Sequence, residues 1–195
     1  VQNFPRLVQQ ESANEQVIMW DLTRTFPGNK FFSEAGGVGQ TRLYNICKAY
    51  SVYDEEVGYC QGLSFVAAEL ILHMPEEDAF CLFIKIMYDY KVRDMFKQGF
   101  ANMQLKYFQL TKMVQKHIPD LFDHFRELGV EVHMFCTQWF LTVYATKFPL
   151  CTAYHILDVF LSEGSLVLFH IALGLLKLGK RYLLQYDFEG VMNFF

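Results

Sequence analysis

Residues Leu63 to Pro75 read LSFVAAELILHMP, and this run decides the fold. Its apolar residues lie nearly all round a helical wheel instead of along one stripe, the pattern of a helix enclosed by others. The spacing predicts a helix from Leu63 to about Met74. Pro75 suits the first position of the next helix, where a missing N–H is no loss, and Glu76 and Glu77 suit that helix's positive end. This second helix is predicted to run to about Tyr90. A helix buried on all sides needs helical neighbours, and the rest of the chain supplies them.

Upstream, Ser12-Ala13-Asn14-Glu15 reads as a capping box, with Ser12 as N-cap and Glu15 at the third helical position. The helix it opens passes through Val17, Ile18, Trp20 and Leu22 and stops near Pro27-Gly28. Residues 28–39 form a glycine-rich loop. From Gln40, the spacing Leu43, Ile46, Cys47, Tyr50 gives a second amphipathic helix. Asp54-Glu55-Glu56 is an acidic turn leading into Val57-Gly58-Tyr59-Cys60-Gln61-Gly62. Downstream, helices are predicted at roughly 99–118, 120–128, 131–147, 150–162, 165–179 and 187–195, punctuated by Pro119, Gly129, Pro149 and Gly164. Alternating patterns bounded by turn dipeptides, the mark of strands, are absent. The fold class is all-α, a single domain of many short helices around one core.

Composition agrees. The chain has 195 residues, 52% of them hydrophobic, enough for one domain with a sizeable core and too apolar for disorder. A net charge of −4 offers no positive stripe for a phosphate backbone, so nucleic acid is not an expected partner. Lys177, Lys180 and Arg181 read as a solvated helix end. The most apolar segment, Leu166 to Leu176, is interrupted by His170 and is shorter than the ~20 residues that span a bilayer. Cys47, Cys60, Cys81, Cys136 and Cys151 are odd in number, widely spaced and without a C-x-x-C pair, which reads as reduced thiols in a cytosolic setting. The chain begins VQNFPRLVQQ without an initiating methionine and stops at Phe194-Phe195 inside an apolar pattern. It reads as a domain excised from something larger.

Three groups of residues carry potential chemistry. His133-x-x-Cys136 and Cys151-x-x-x-His155 have ligand-like spacing, but a structural zinc site wants four ligands in close pairs, and both lie in apolar helices. They read as packed core residues, and no metal site is expected. Cys60 between glycines suggests a nucleophile, yet such a thiol needs a base and a depressed pKa, and the acidic run upstream works against both. Asp21 and Arg24 lie three apart on the first helix and can form a hydrogen-bonded ion pair. Alone, that pair would read as surface decoration.

The same residues carry a resemblance. Ile18-x-x-Asp21-x-x-Arg24, followed about thirty-five residues later by Tyr59-x-Gln61-Gly62, resembles the paired fingerprint of the TBC domain, found in GTPase-activating proteins for Rab small GTPases. RTFPGNKFF, GQTRLYNICKAYSVYDEEVGYCQGLSFVAA, HMPEEDAF, TQWFLTVYATKFP and DVFLSEG are also similar to TBC sequence, in the family's order. The likeness covers about Glu11 to Phe195 and is closest in wording to the GAPCenA/Evi5-like subgroup. The family's upstream Arg-Gly and Trp motif is not present. Residues 1–195 are therefore expected to be a TBC domain lacking its extreme N-terminal motif and C-terminal helices. Met19-Trp20 stands where relatives often have polar or basic residues; core packing, partner contact and peculiarity of this chain stay open for Trp20.

What the resemblance implies is a GTPase activator, not an enzyme with a substrate of its own. Arg24 would be an arginine finger and Gln61 a glutamine finger, both supplied in trans. Asp21 would orient Arg24, Tyr59 would position the loop and meet the Rab, and Gly62 would let the backbone approach the nucleotide. Ile18 belongs to the same supporting set. The partner would be a Rab in its GTP-bound form, which brings the GTP and Mg2+; the chain would need no cofactor of its own. The setting would be cytoplasmic, with recruitment to endomembranes such as Golgi and endosome in the service of vesicle trafficking. The alternative is a non-catalytic Rab-binding module of the same fold. Cys60 falls on the variable position of Y-x-Q-G, which leaves the chemistry to Gln61.

Overall fold

In the computed structural model, which describes residues 3–195, the helix that starts at Leu63 ends at Ile71, and every residue in it except Phe65 is buried. In chain order the helices are α1 (Phe4–Val8), α2 (Glu15–Arg24), α3 (Val38–Tyr53), α4 (Leu63–Ile71), α5 (Glu76–Tyr88), a 3-10 turn (Val92–Met95), α6 (Ala101–His117), α7 (Pro119–Leu128), α8 (His133–Leu141), α9 (Leu150–Glu163), α10 (Val167–Leu183) and α11 (Phe188–Phe194). Among the described residues there is no strand, and no helix is long and apolar enough to cross a membrane.

The helices gather in two groups. In the first, α3 packs against α1, α2, α4 and α5 through the face carrying Leu43, Ile46, Cys47 and Tyr50. In the second, α10 packs against α6, α8, α9 and α11, while α7 and α8 rest on α6. The 3-10 turn touches both α5 and α6 and joins the groups. One buried apolar cluster runs through the whole, from Phe4 to Val191. Each large side chain enclosed there contributes roughly 1.5–3 kcal/mol. Lys180 reaches Asp120 at 2.6 Å and ties α10 to α7, so the small basic cluster is only partly a free helix end.

Several boundaries differ from the sequence expectation for physical reasons. Half the capping box forms: the Ser12 N–H donates to the Glu15 carboxylate at 3.1 Å, but Ser12 Oγ accepts from Asn14 N–H and the helix starts at Glu15. Pro75 is the N-cap of α5, with extended ψ of 153°, one position earlier than predicted. The predicted helix 131–147 is cut at Leu141, because Val143 and Tyr144 take left-handed φ values of 49° and 67°. Tyr144 is fully buried there and its hydroxyl donates to the Leu168 carbonyl at 2.7 Å, so tertiary contact overrides local preference. Helix α1 was not expected; Phe4 anchors it, its ring 4.8 Å from that of Phe80.

Glu69 is the anomaly of α4. It is fully buried, and neither carboxylate oxygen has a hydrogen-bond partner among the described residues. Burial pushes its carboxyl up to about 8, so the folded protein holds it protonated near neutrality. The unfolded chain ionises it above about 4.5, so the folded state loses stability as pH rises from there to about 8. Over the interval to pH 7 this amounts to something on the order of 3 kcal/mol. Glu69→Met should therefore raise the melting temperature at pH 8 by roughly 5–10 °C and leave it nearly unchanged at pH 5. Thermal melts at the two pH values check this; an equal shift at both would show that packing and not ionisation governs the site.

Candidate functional site

Helix α2 buries Ile18, Asp21 and Leu22 and turns Val17, Met19, Trp20 and Arg24 outward. Asp21 is only 1% exposed, and a buried carboxylate needs partners. It has two. One oxygen accepts from the Arg24 guanidinium and the other from the Tyr59 hydroxyl at 2.8 Å. Arg24 itself stays half exposed. One residue on, the buried Thr25 hydroxyl donates to the Asp21 carbonyl at 2.7 Å and lies 2.8 Å from the Ser64 hydroxyl in α4. The Y-x-Q-G loop is thus pinned to the end of α2 on both sides of Gln61, by Tyr59 before it and Ser64 after it.

The other end of that loop is held by a residue that no motif singled out. Asp54, read only as part of an acidic turn, is buried, with the Tyr50 hydroxyl donating to it at 2.8 Å and the Val57 N–H at 3.3 Å. Arg93, in the 3-10 turn, donates to it through Nε at 2.6 Å and Nη2 at 2.8 Å, and to Glu56 at 2.5 Å. Burial alone would raise the Asp54 carboxyl, but the bonds from Arg93 and Tyr50 outweigh it and hold the group below its ordinary value. The only signal in the sequence was an acid at a helix end followed by apolar loop residues, which says nothing about a partner 39 residues away.

Between these anchors the chain makes two turns that only glycine makes readily. Gly58 has φ +61° and Gly62 φ +108°. At Gly62 a side chain would meet nothing nearer than Thr142 Cγ2 at 3.5 Å, so backbone conformation, not space, demands the glycine. Gln61 is exposed, and its amide is in no hydrogen bond with another described residue. It lines a 710 Å³ groove together with Phe65, Phe96, Phe100, Gln138 and Leu141.

The candidate set therefore divides. Arg24 and Gln61 face outward; Ile18, Asp21, Tyr59 and Gly62 are buried beneath them. Tyr59 is 7% exposed, and its hydroxyl is committed to Asp21. Cys60 is half-buried, with Sγ 3.8 Å from the Val57 carbonyl, and burial pushes its thiol up. Burial thus keeps the thiol protonated, where the sequence suggested the acidic run. The metal-like pairs are not the core residues expected: of the four only Cys136 is buried, while His133, Cys151 and His155 are exposed and His133 pairs with Glu131 at 3.1 Å. No group of three His, Cys, Asp or Glu gathers as a ligand set among the described residues.

Residues 2–184 match the family model described as the Rab-GTPase-TBC domain. The chain belongs to the RabGAP-TBC family. A Rab GTPase-activating protein of Caenorhabditis elegans, tbc-11, is 53% identical over all of this chain and 21% of its own length. The human ecotropic viral integration site 5 protein homolog is 42% identical over 98% of this chain and 24% of its own, in keeping with the expected subgroup. The chain thus spans about a fifth to a quarter of these relatives. Among solved structures, the TBC domain of a Chlamydomonas flagellar RabGAP superposes with a TM-score of 0.85 at 26% identity, covering 98% of this chain and 65% of that one. The Ypt/Rab-GAP domain of Gyp1p, at 19% identity, has a TM-score of 0.78 over 98% of this chain and 69% of its own and shares the fold. This TBC domain, then, exposes an arginine at the end of α2, bonded to Asp21, and a carboxamide just before α4, in a loop tied down by Tyr59 and Ser64.

Proposed function

We propose that this TBC domain activates a Rab-family GTPase by lending Arg24 and Gln61 to the partner's GTP-hydrolysis site. The observation that supports it is the Arg24–Asp21–Tyr59 linkage, which braces two exposed groups of complementary chemistry against each other through a buried carboxylate. The partner carries GTP and Mg2+, and the domain needs no cofactor.

Hydrolysis in a small GTPase is slow because negative charge builds on the phosphate oxygens and the attacking water is poorly held. Arg24 answers the first need. Its planar fork stays charged at any relevant pH and can donate to more than one oxygen. Asp21 holds the guanidinium in one orientation, so little order has to be found at the moment of reaction. Gln61 answers the second: its Oε1 can accept from a water while Nε2 donates to a neighbouring oxygen. Such an arginine contributes roughly 10³–10⁵ in rate, or about 4–7 kcal/mol. The domain acts at the endomembrane surfaces where its GTPase resides.

Single-turnover GTP hydrolysis across a panel of Rabs tests the reading. Stimulation of at least one by roughly a thousandfold or more is expected. A Rab that binds tightly in its GTP state and is not stimulated by any concentration of the domain would favour the non-catalytic binding module instead. In the same assay Cys60→Ser should change the rate by less than about twofold, since the thiol is protonated and turned to the Val57 carbonyl. Loss of activity in a folded Cys60→Ser protein would restore the nucleophile.

A further inference from the structure

We propose that the outer face of α2 beside Arg24, centred on Trp20, is an apolar seat for the GTPase, and that Trp20 passes from water into the contact when the two proteins meet. This deepens the GTPase-activating reading and rests on it. Trp20 is 63% exposed, its ring stacks on no other ring or cation among the described residues, and Val17 and Met19 beside it are also exposed. On a helix, Val17, Trp20 and Arg24 fall at i, i+3 and i+7, on one face. At a rise of about 1.5 Å per residue, Trp20 is only about 6 Å along the axis from Arg24.

Geometry then requires the contact. Arg24 does not extend freely: Asp21, at the buried side of the same turn, holds its guanidinium back toward the domain. A protein that closes over Arg24 and excludes water must come down to the helix surface, and so it must cover the preceding turn. What it meets there is a large, rigid aromatic flanked by Val17 and Met19 and bordered by the exposed Gln16 and Thr23, an aromatic anchor with a polar rim. A lipid surface fits less well. Arg24 is the basic residue of α2 and is already paired with Asp21, and the chain carries a net charge of −4, so nothing draws this face to anionic headgroups. The matching surface on the GTPase is an apolar patch next to its nucleotide.

The chain has two tryptophans, and the other, Trp139, is 2% exposed, so a fluorine spectrum has two lines to assign. The domain is labelled with 5-fluorotryptophan and observed by fluorine NMR while unlabelled Rab, bound to a non-hydrolysable GTP analogue, is added. The Rab is one that binds in the panel; the Trp20 line is assigned by its loss in Trp20→Phe. Expected is a shift of the Trp20 resonance on saturation. Trp20→Ala should raise KM by roughly 10- to 30-fold with kcat within about twofold, and Leu178→Ala, a truncation of a still more exposed apolar residue on α10, should change neither. A Trp20 line unmoved at saturation, or a wild-type KM in Trp20→Ala, overturns the proposal. So does a shift caused by vesicles of phosphatidylcholine and phosphatidylserine without Rab, which would assign the face to a membrane. If Arg24→Ala keeps full activity, the finger reading falls while the seat can still be scored by binding; if no Rab binds at all, both fall together.

Discussion

Arg24→Lys should lower stimulated GTP hydrolysis by roughly a thousandfold while the thermal melt stays close to wild type. The reasoning separates charge from shape. Lysine keeps a cation within reach of Asp21, so the buried carboxylate is not left alone and the fold keeps its brace. What it lacks is the flat fork that donates to two oxygens at once, and the lost rate is the measure of that fork. Arg24→Ala is a poorer test, since it strips Asp21 of one of its two partners and mixes a stability loss into the activity. Single-turnover rates at saturating domain, with a melt on the same preparation, check the prediction. A folded lysine variant with most of its activity would remove Arg24 from its role.

Gln61→Ala should cost roughly a hundredfold or more, comparable to the loss of one preorganised polar group at a reacting centre, again without a change in the melt. Here the fold is safe for a different reason. The amide is exposed and bonded to no described residue, so its removal strands no buried group. The decisive form of the experiment crosses two domains with two Rabs: wild type and Gln61→Ala, against a wild-type Rab and one whose own catalytic glutamine is alanine. If Gln61 holds the water, the Rab's glutamine is redundant, its loss is mild, and Gln61→Ala is damaging with either Rab. The reverse pattern, in which the Rab substitution abolishes stimulation and Gln61→Ala does not, would leave Arg24 acting alone and make Gln61 a residue of the loop only.

The helical architecture was legible because most of it is amphipathic or uniformly buried, and periodicity reports burial. LSFVAAELILHMP shows the limit of that signal as well. It announced a central helix, but an apolar run does not disclose that its one carboxylate, Glu69, has no partner. Boundaries failed where tertiary contact overrode local preference, at Tyr144, whose hydroxyl is drawn to Leu168, and at Ser12, which caps Asn14 instead of Glu15. The site divided in the same way. Arg24 and Gln61 could be named from motif spacing, since the chemistry wants those residue types outward on a fixed frame. Arg93 could not, because nothing about an arginine in a 3-10 turn points to an aspartate on a distant loop. Nor could the exposure of Trp20 be read, as a tryptophan in an amphipathic pattern fits either face.

Among the cross-links that bring this region together, four span nearly equal lengths of chain: Ser12 to Ser51 and Thr25 to Ser64 at 39 residues, Asp21 to Tyr59 at 38, and Asp54 to Arg93 at 39. Helices form from neighbours in sequence; none of these links does. Three of them, from Ser12, Asp21 and Thr25, close overlapping stretches of chain, so whichever closes first bears most of the shared closure entropy and the other two follow at little extra loss. The fourth cannot form until the chain beyond α5 has arrived. A chain emerging with α2, α3 and α4 already wound, but without Arg93, has both reactive groups and only three of the four ties that hold their frame.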